Sequence, residues 1–273
     1  ALEKALQSDP QLWQARVLLA RASLQHGNLG LAESHLRDVL KDHPRNVAAY
    51  QLLGEIARQQ GNHDEAIRSF RLALLAAGDN DRRPEVVLAR LSLAMSLRAQ
   101  GYLCAAADQL EAYLDAVADP TPEMRRYRKL KEIMALYRGK AAGMIGEIRT
   151  ELGAYRPAVA AYRRAVAESP DDPGLRKRLA YALARAGDAD QAMEVARQWL
   201  VDFPQEANGF EFLKKTCELL GEPQRYDAEL VRLAKQTTDP VVGEHLANLL
   251  LERQKVAEAI EQNKLFGYAG KKS

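Results

Sequence analysis

Residues 47–73, VAAYQLLGEIARQQGNHDEAIRSFRLA, carry the pattern that decides the fold. An aliphatic residue followed by a small one, Leu53 and Gly54, is separated by a short helical distance from Gly61; an alanine, Ala66, follows, then the large Phe70 and another alanine, Ala73. Outward from this stretch, glycines recur at Gly27, Gly61, Gly101, Gly153, Gly187 and Gly221, with separations of 34, 40, 52, 34 and 34. A fixed period of this size is the mark of a repeat architecture, and the unit here is 34 residues.

With the glycine placed at position 15 of the unit, position 7 is aliphatic in every copy: Leu19, Leu53, Leu93, Ile145, Leu179, Leu213 and Leu246, the last in a copy without the glycine. Position 8 is small at Ala20, Gly54, Ala94, Gly146, Ala180 and Ala247, with Lys214 the exception. Position 20 is alanine at Ala32, Ala66, Ala106, Ala158, Ala192 and Ala259. Small residues at 8 and 20 let two antiparallel helices approach along a tight seam, which anything larger would push apart. The glycine ends the first helix in a left-handed conformation, and polar residues after it, as in Gly61-Asn62-His63-Asp64 and Gly187-Asp188-Ala189-Asp190, start the second. Prolines at position 32, Pro10, Pro44, Pro170 and Pro204, stop that second helix.

The series aliphatic-7, small-8, Gly-15, Ala-20, large-24, Ala-27, Pro-32 resembles the tetratricopeptide repeat, and the second copy follows it most closely with Tyr50, Leu53, Gly54, Gly61, Ala66, Phe70 and Ala73. The resemblance covers nearly the whole chain. It implies an all-α fold, a right-handed superhelical solenoid of antiparallel helix hairpins. Residues 3–10 match the end of a preceding repeat, so 1–10 reads as a truncated unit; 11–120 holds repeats 1–3, 121–140 an inserted basic helical extension, 141–262 repeats 4–7 with the last partial, and 263–273 a tail. A polar loop at 78–84, with Asp79 and Asp81, separates the second and third copies and lacks the ligand series of a calcium loop.

The insertion before the fourth copy opens with Thr121-Pro122-Glu123, a helix start with threonine as N-cap and proline at the first position. From there Tyr127, Leu130, Met134, Tyr137, Ala141, Met144 and Ile148 recur in steps of 3 and 4. That spacing predicts one continuous extended helix over 122–152, about 45 Å long. Its other sides carry Arg125, Arg126, Arg128, Lys129 and Lys131, read first as a solvated face, with a second contact for an anionic partner, a nucleic acid or another subunit as the alternative.

By the same resemblance, the first helices line a concave groove. Copies one to three present Val17, Leu18, Arg21, Leu24, Leu52, Arg58, Leu91, Met95 and Arg98, an apolar floor with scattered arginines. Copy five adds Lys177, Arg178, Tyr181 and Arg185, while later copies present Glu211, Glu218, Glu244 and Glu252. This polarity suits a peptide or protein partner with an acidic part over copies two to five. The lysine and asparagine clamp with which some family members hold chaperone C-termini is missing: Lys177 and Arg178 stand alone beside Tyr181, and Asn248 accompanies Glu244.

Composition sets the remaining bounds. The 273 residues include 39 Lys+Arg against 37 Asp+Glu, a net charge of +2, so a surface built throughout for nucleic acid is not expected. Charged residues interrupt every apolar run, leaving no membrane span, and no signal peptide is visible. A cytoplasmic location is expected, with the periplasm as the alternative because the chain begins inside a repeat. Cys104 and Cys217 lack any spacing for zinc or redox work and read as buried apolar residues. His26, His35, His43, His63 and His245 share no face and read as surface residues. No phosphate loop, nucleophile elbow or zinc-protease motif is present, so the sequence predicts no catalysis, no cofactor and no metal. It is read as a protein-protein interaction scaffold. The alternatives are a regulatory or substrate-presenting domain of a larger enzyme such as a transferase, or a periplasmic module of a bacterial envelope or polysaccharide-export assembly, suggested by a bacterial-looking Ala/Arg/Leu-rich composition.

Overall fold

A computed structural model describes residues 12–78, 82–203, 208–236 and 240–252, with residues 255, 258, 259 and 261. Residues 1–10, expected to be part of a repeat, Asp79 and Asp81 of the polar loop, Pro204 and residues 263–273 lie outside the described residues. Fourteen α-helices and no strands occur among the described residues: α1 Trp13–Gln25, α2 Leu29–Asp42, α3 Val47–Gln59, α4 His63–Ala77, α5 Pro84–Ala99, α6 Leu103–Ala118, α7 Pro122–Arg126, α8 Arg128–Glu151, α9 Tyr155–Glu168, α10 Pro173–Ala186, α11 Ala189–Asp202, α12 Gly209–Leu219, α13 Arg225–Gln236 and α14 Pro240–Glu252. The chain divides into two compact units, the first ending at Ile148 and the second beginning at Arg149. In each unit, helices consecutive in the chain pack as antiparallel hairpins.

Each hairpin turns on the glycine the repeat places there. Gly61 has φ 76°, Gly187 has φ 89°, and the other four repeat glycines are likewise left-handed. The residue after the glycine reaches back to the last turn of the first helix, as Asn62 N does to Ala57 O at 2.9 Å and Asp188 N to Leu183 O at 2.9 Å. These bonds satisfy carbonyls that the helix end would leave open, and only glycine takes the required backbone without strain. Capping after the turn is less uniform than the sequence pattern suggests. The Asn62 side chain accepts from Glu65 N at 3.2 Å, whereas the Asp188 side chain makes no capping bond. Instead Asn46 caps α3, accepting from Ala49 N at 2.9 Å, and Asp172 caps α10, accepting from Gly174 N at 2.8 Å. The second helices α2 and α9 end at Asp42 and Glu168, just before Pro44 and Pro170.

The seam alanines are among the most deeply buried residues of the repeat: Ala32, Ala66, Ala106, Ala158 and Ala192 are fully inaccessible and Ala259 nearly so. The partner of the small residue at position 8 differs from expectation. A β-carbon built on Gly54 would lie 2.5 to 2.8 Å from Cε1, Cδ1 and Cζ of Phe70, so the ring at position 24, rather than the methyl of Ala66, fills the space glycine vacates. Phe70 is itself fully buried. In the second unit Trp199 is the largest buried side chain and packs with Met193, Ala196, Leu213 and Cys217. Cys104, near the start of α6, is exposed, correcting the expectation that both cysteines are core; only Cys217 is buried.

The insertion starts as predicted. Thr121 Oγ1 accepts from Met124 N at 3.2 Å and Pro122 opens the helix. The continuous helix does not follow: α7 stops at Arg126, Tyr127 is extended at φ −78° and ψ 97°, and α8 begins at Arg128. The apolar seam then runs along α8 as expected, with Leu130, Ala141 and Ile148 inaccessible. Tyr127 leaves that seam because tertiary contacts on α1, described below, claim its ring.

Candidate functional site

In the first unit the groove residues read from the sequence fall into two groups. Leu52 and Leu91 are 2% and 4% exposed, and Val17 is 5% exposed, so the expected apolar floor is core packing; Leu52 sits against Val17, Ala49 and Ile56 between helices. Leu18, at 46% exposure, is the apolar residue of this set that remains open, with Met95 half-buried. The arginines are accessible but matched. Arg58 lies 2.8 Å from Glu55, whose other oxygen accepts from Ser92 Oγ at 2.5 Å; Arg98 lies 2.8 Å from Glu147; and Arg21 lies 3.8 Å from Glu85. A carboxylate of the chain itself therefore stands beside each of these three arginines of the first unit. Glu55 is one helical turn from Arg58 and legible in the sequence, whereas Glu147 and Glu85 come from distant segments.

The Arg21 guanidinium also lies 5.4 Å from the ring centroid of Tyr127. Burial pushes the Tyr127 hydroxyl above its ordinary pKa, with Arg21 opposing and Glu85 reinforcing the rise. Beside this contact is a cavity of about 780 Å³ lined by Leu18 and Arg21 of α1, residues 42–48 at the junction of α2 and α3, Arg83, Glu85 and, from α7, Glu123. Sequence reading placed Tyr127 in a helix seam and missed this role.

In the second unit α10 presents Arg178, Tyr181 and Arg185 on its exposed side, with Tyr181 43% exposed. These positions, spaced 3 and 4 apart, share one helix face. Arg185 donates to Tyr155 Oη at 3.0 Å and lies 5.0 Å from that ring's centroid, so its companion is a neutral phenol. Lys177 points the other way, its ammonium 4.2 Å from the Trp199 ring centroid and 5.7 Å from that of Phe212. The attraction between ammonium and ring face places this lysine in a packing role that the sequence did not indicate. Farther along, Glu211, Glu218, Glu244 and Glu252 are exposed, Glu211 pairing with Lys215 at 3.3 Å.

The basic residues of the insertion, Arg125, Arg126, Arg128, Lys129 and Lys131, are all exposed. Arg125 is 3.7 Å from Asp119 and Arg128 is 3.7 Å from Glu132, separations at which exposed charges contribute little. Among the described residues no group of three histidine, cysteine or carboxylate side chains could hold a metal ion, and no helix is long and apolar enough to cross a membrane.

Hairpins of this period, turned on left-handed glycines and zipped by buried alanines, define a helical-repeat protein. Comparison with family models makes this specific: residues 17–82 and residues 150–214 each match a tetratricopeptide repeat model. The chain is a tetratricopeptide repeat protein. Comparison with curated proteins by sequence gives no match. Among solved structures, YrrB, described as a tetratricopeptide repeat protein with an unusual peptide-binding site, aligns with a TM-score of 0.58 at 15% identity, over 77% of this chain and 96% of its own. The MamA protein aligns with a TM-score of 0.52 at 18% identity, over 72% and 94%. A tetratricopeptide repeat protein from Parabacteroides merdae aligns with a TM-score of 0.51 at 16% identity, over 96% and 94%. At these identities the likeness is one of fold.

Proposed function

We propose that this chain is a protein-interaction scaffold whose second unit holds an acidic peptide segment against α10, through Arg178, Tyr181 and Arg185. Tetratricopeptide repeats and a peptide-binding relative in fold support the general reading. The observation that carries the particular one is the difference in charge matching. Arg21, Arg58 and Arg98 each stand beside a carboxylate of their own chain, while Arg185 has a phenol beside it. An incoming carboxylate meets less competition at Arg185, and the flat, exposed Tyr181 between two cations offers an apolar contact with little entropy to lose. The exposed carboxylates on α12 and α14 set a direction, favouring a ligand whose negative end lies over α10.

The test uses a Glu/Tyr copolymer as probe, with polylysine as control, and reads binding by fluorescence anisotropy at low and high salt. Arg178→Glu/Arg185→Glu should weaken copolymer binding at least tenfold and flatten its salt dependence, while Arg58→Gln/Arg98→Gln leaves both near wild type. Equal losses in the two double variants would overturn the assignment to α10.

A further inference from the structure

The segment Glu123-Met124-Arg125-Arg126-Tyr127-Arg128-Lys129-Leu130 contains neither glycine nor proline and is rich in good helix formers, yet the helix breaks at Tyr127. Kinks ordinarily have a local cause, and none is present here. A conflict between local preference and fold marks a place where tertiary contacts hold the chain away from its default. Those contacts are on α1. The Tyr127 ring is half-buried beneath the Arg21 guanidinium, and Arg21 is steadied in turn by Glu85. Glu123, four residues earlier, forms part of the wall of the adjoining cavity. Met124 between them is fully buried, and Arg82 secures the start of the strap by donating to the carbonyls of Ala116 and Asp119 at 2.7 and 2.5 Å.

Straightening the chain at one residue would let the amides of Arg128, Lys129 and Leu130 bond to the carbonyls of Met124, Arg125 and Arg126, as in any helix interior. α7 and α8 would merge, and Tyr127 would leave α1. We propose that Tyr127 is an internal occupant of a ligand seat on the first unit, and that this seat takes the aromatic side chain of a partner peptide when residues 122–127 join α8 as one helix. The occupant defines the partner: an aromatic residue to lie beneath Arg21, with a carboxylate four residues before it, as Glu123 precedes Tyr127. The cavity beside Arg21, walled also by Arg45 and Arg83, leaves room for the segment between them. Because the seat is filled, the apparent affinity for such a peptide is reduced by the fraction of molecules in the open form, and emptying the seat removes that reduction.

The experiment uses the full chain and a labelled peptide copied from residues 119–128, DPTPEMRRYR, in a fluorescence-anisotropy titration. Tyr127→Ala should bind the peptide at least tenfold more tightly than wild type. Adding Arg21→Ala to that variant, or replacing the tyrosine of the peptide by alanine, should remove the gain. Equal affinities for wild type and Tyr127→Ala overturn the proposal, as does a Tyr127→Ala chain indifferent to Arg21 or to the peptide's tyrosine. If Tyr127→Ala loses its cooperative melt, wild type supplies the test. Saturating peptide should slow hydrogen exchange at the amides of Arg128, Lys129 and Leu130 as the helix completes, and unchanged exchange there overturns the proposal.

Discussion

Gly54→Ala and Gly30→Ala are the same chemical change in two helices, and the structure assigns them opposite signs. In α3 the new methyl of Gly54→Ala would lie 2.5, 2.6 and 2.8 Å from three atoms of the Phe70 ring. Carbon atoms in contact prefer about 3.5–4.0 Å, so the ring must retreat by about 1 Å. Phe70 is fully buried and has no open side to retreat into. Overpacking of this kind costs about 1–3 kcal/mol, against about 1 kcal/mol recovered from the better helix propensity of alanine. The net expectation is a loss of about 1–2 kcal/mol, a fall in melting temperature of roughly 2–8 °C for a chain of this size. At Gly30, in the first turn of α2, nothing lies within 4 Å of the added carbon and the backbone is not left-handed. There the substitution should stabilise by about 0.5 kcal/mol. Melting followed by far-UV circular dichroism reads both, and Phe70→Leu combined with Gly54→Ala should recover part of the loss by trimming the ring. A Gly54→Ala chain at least as stable as wild type would refute the ring-on-glycine packing and, with it, the helix register of the second repeat.

Three further outcomes are expected in the second unit and on α6. Glu229, 5% exposed, lies 2.8 Å from the buried Arg197 and 3.4 Å from Arg225, so Glu229→Ala leaves Arg197 with the more exposed Glu194 in place of a buried partner and should cost about 2 kcal/mol in denaturant unfolding. Of the two thiols, Cys104 should react with a disulfide reagent in the native chain and Cys217 only after unfolding, because burial pushes the Cys217 thiol up to about 11 and closes access to it. Two fast thiols would contradict the packing of α12. His245 stacks on Phe210 at 3.8 Å, and desolvation lowers its pKa below the ordinary 6.5. A histidine lowered on folding contributes stability that is present above its unfolded pKa and lost as pH falls through 6.5 towards the folded value. Stability of wild type should therefore decline below pH 6.5 more steeply than that of His245→Phe, and parallel curves would show that the imidazole is not desolvated.

The lesson of Tyr127 is that helical spacing identifies a residue that can join a seam and not one that does. Steps of 3 and 4 placed it in register with Leu130 and Met134, and α8 obeys that register from Leu130 onward. Nothing local to Tyr127 announces the break, because its cause is Arg21, more than a hundred residues earlier in the chain. The groove shows the same division. Leu52 and Leu91 have the spacing of floor residues, and whether a leucine at such a position faces solvent or a neighbouring helix depends on the crossing of two helices, which spacing along one of them does not contain.

What the amino-acid sequence determined alone is the set of hairpins. A left-handed glycine, a proline that cannot continue a helix and an alanine at a close crossing act within a few residues of themselves, and a 34-residue period repeats their effect until no other fold satisfies it. Tertiary structure decided which charges remain available. Arg98 and Arg185 are alike as letters of a sequence, but Glu147, from a distant segment, stands 2.8 Å from Arg98, while Arg185 lies beside the phenol of Tyr155. Electrostatic free energy depends on the distance between groups in space, and folding sets that distance between residues the chain holds far apart.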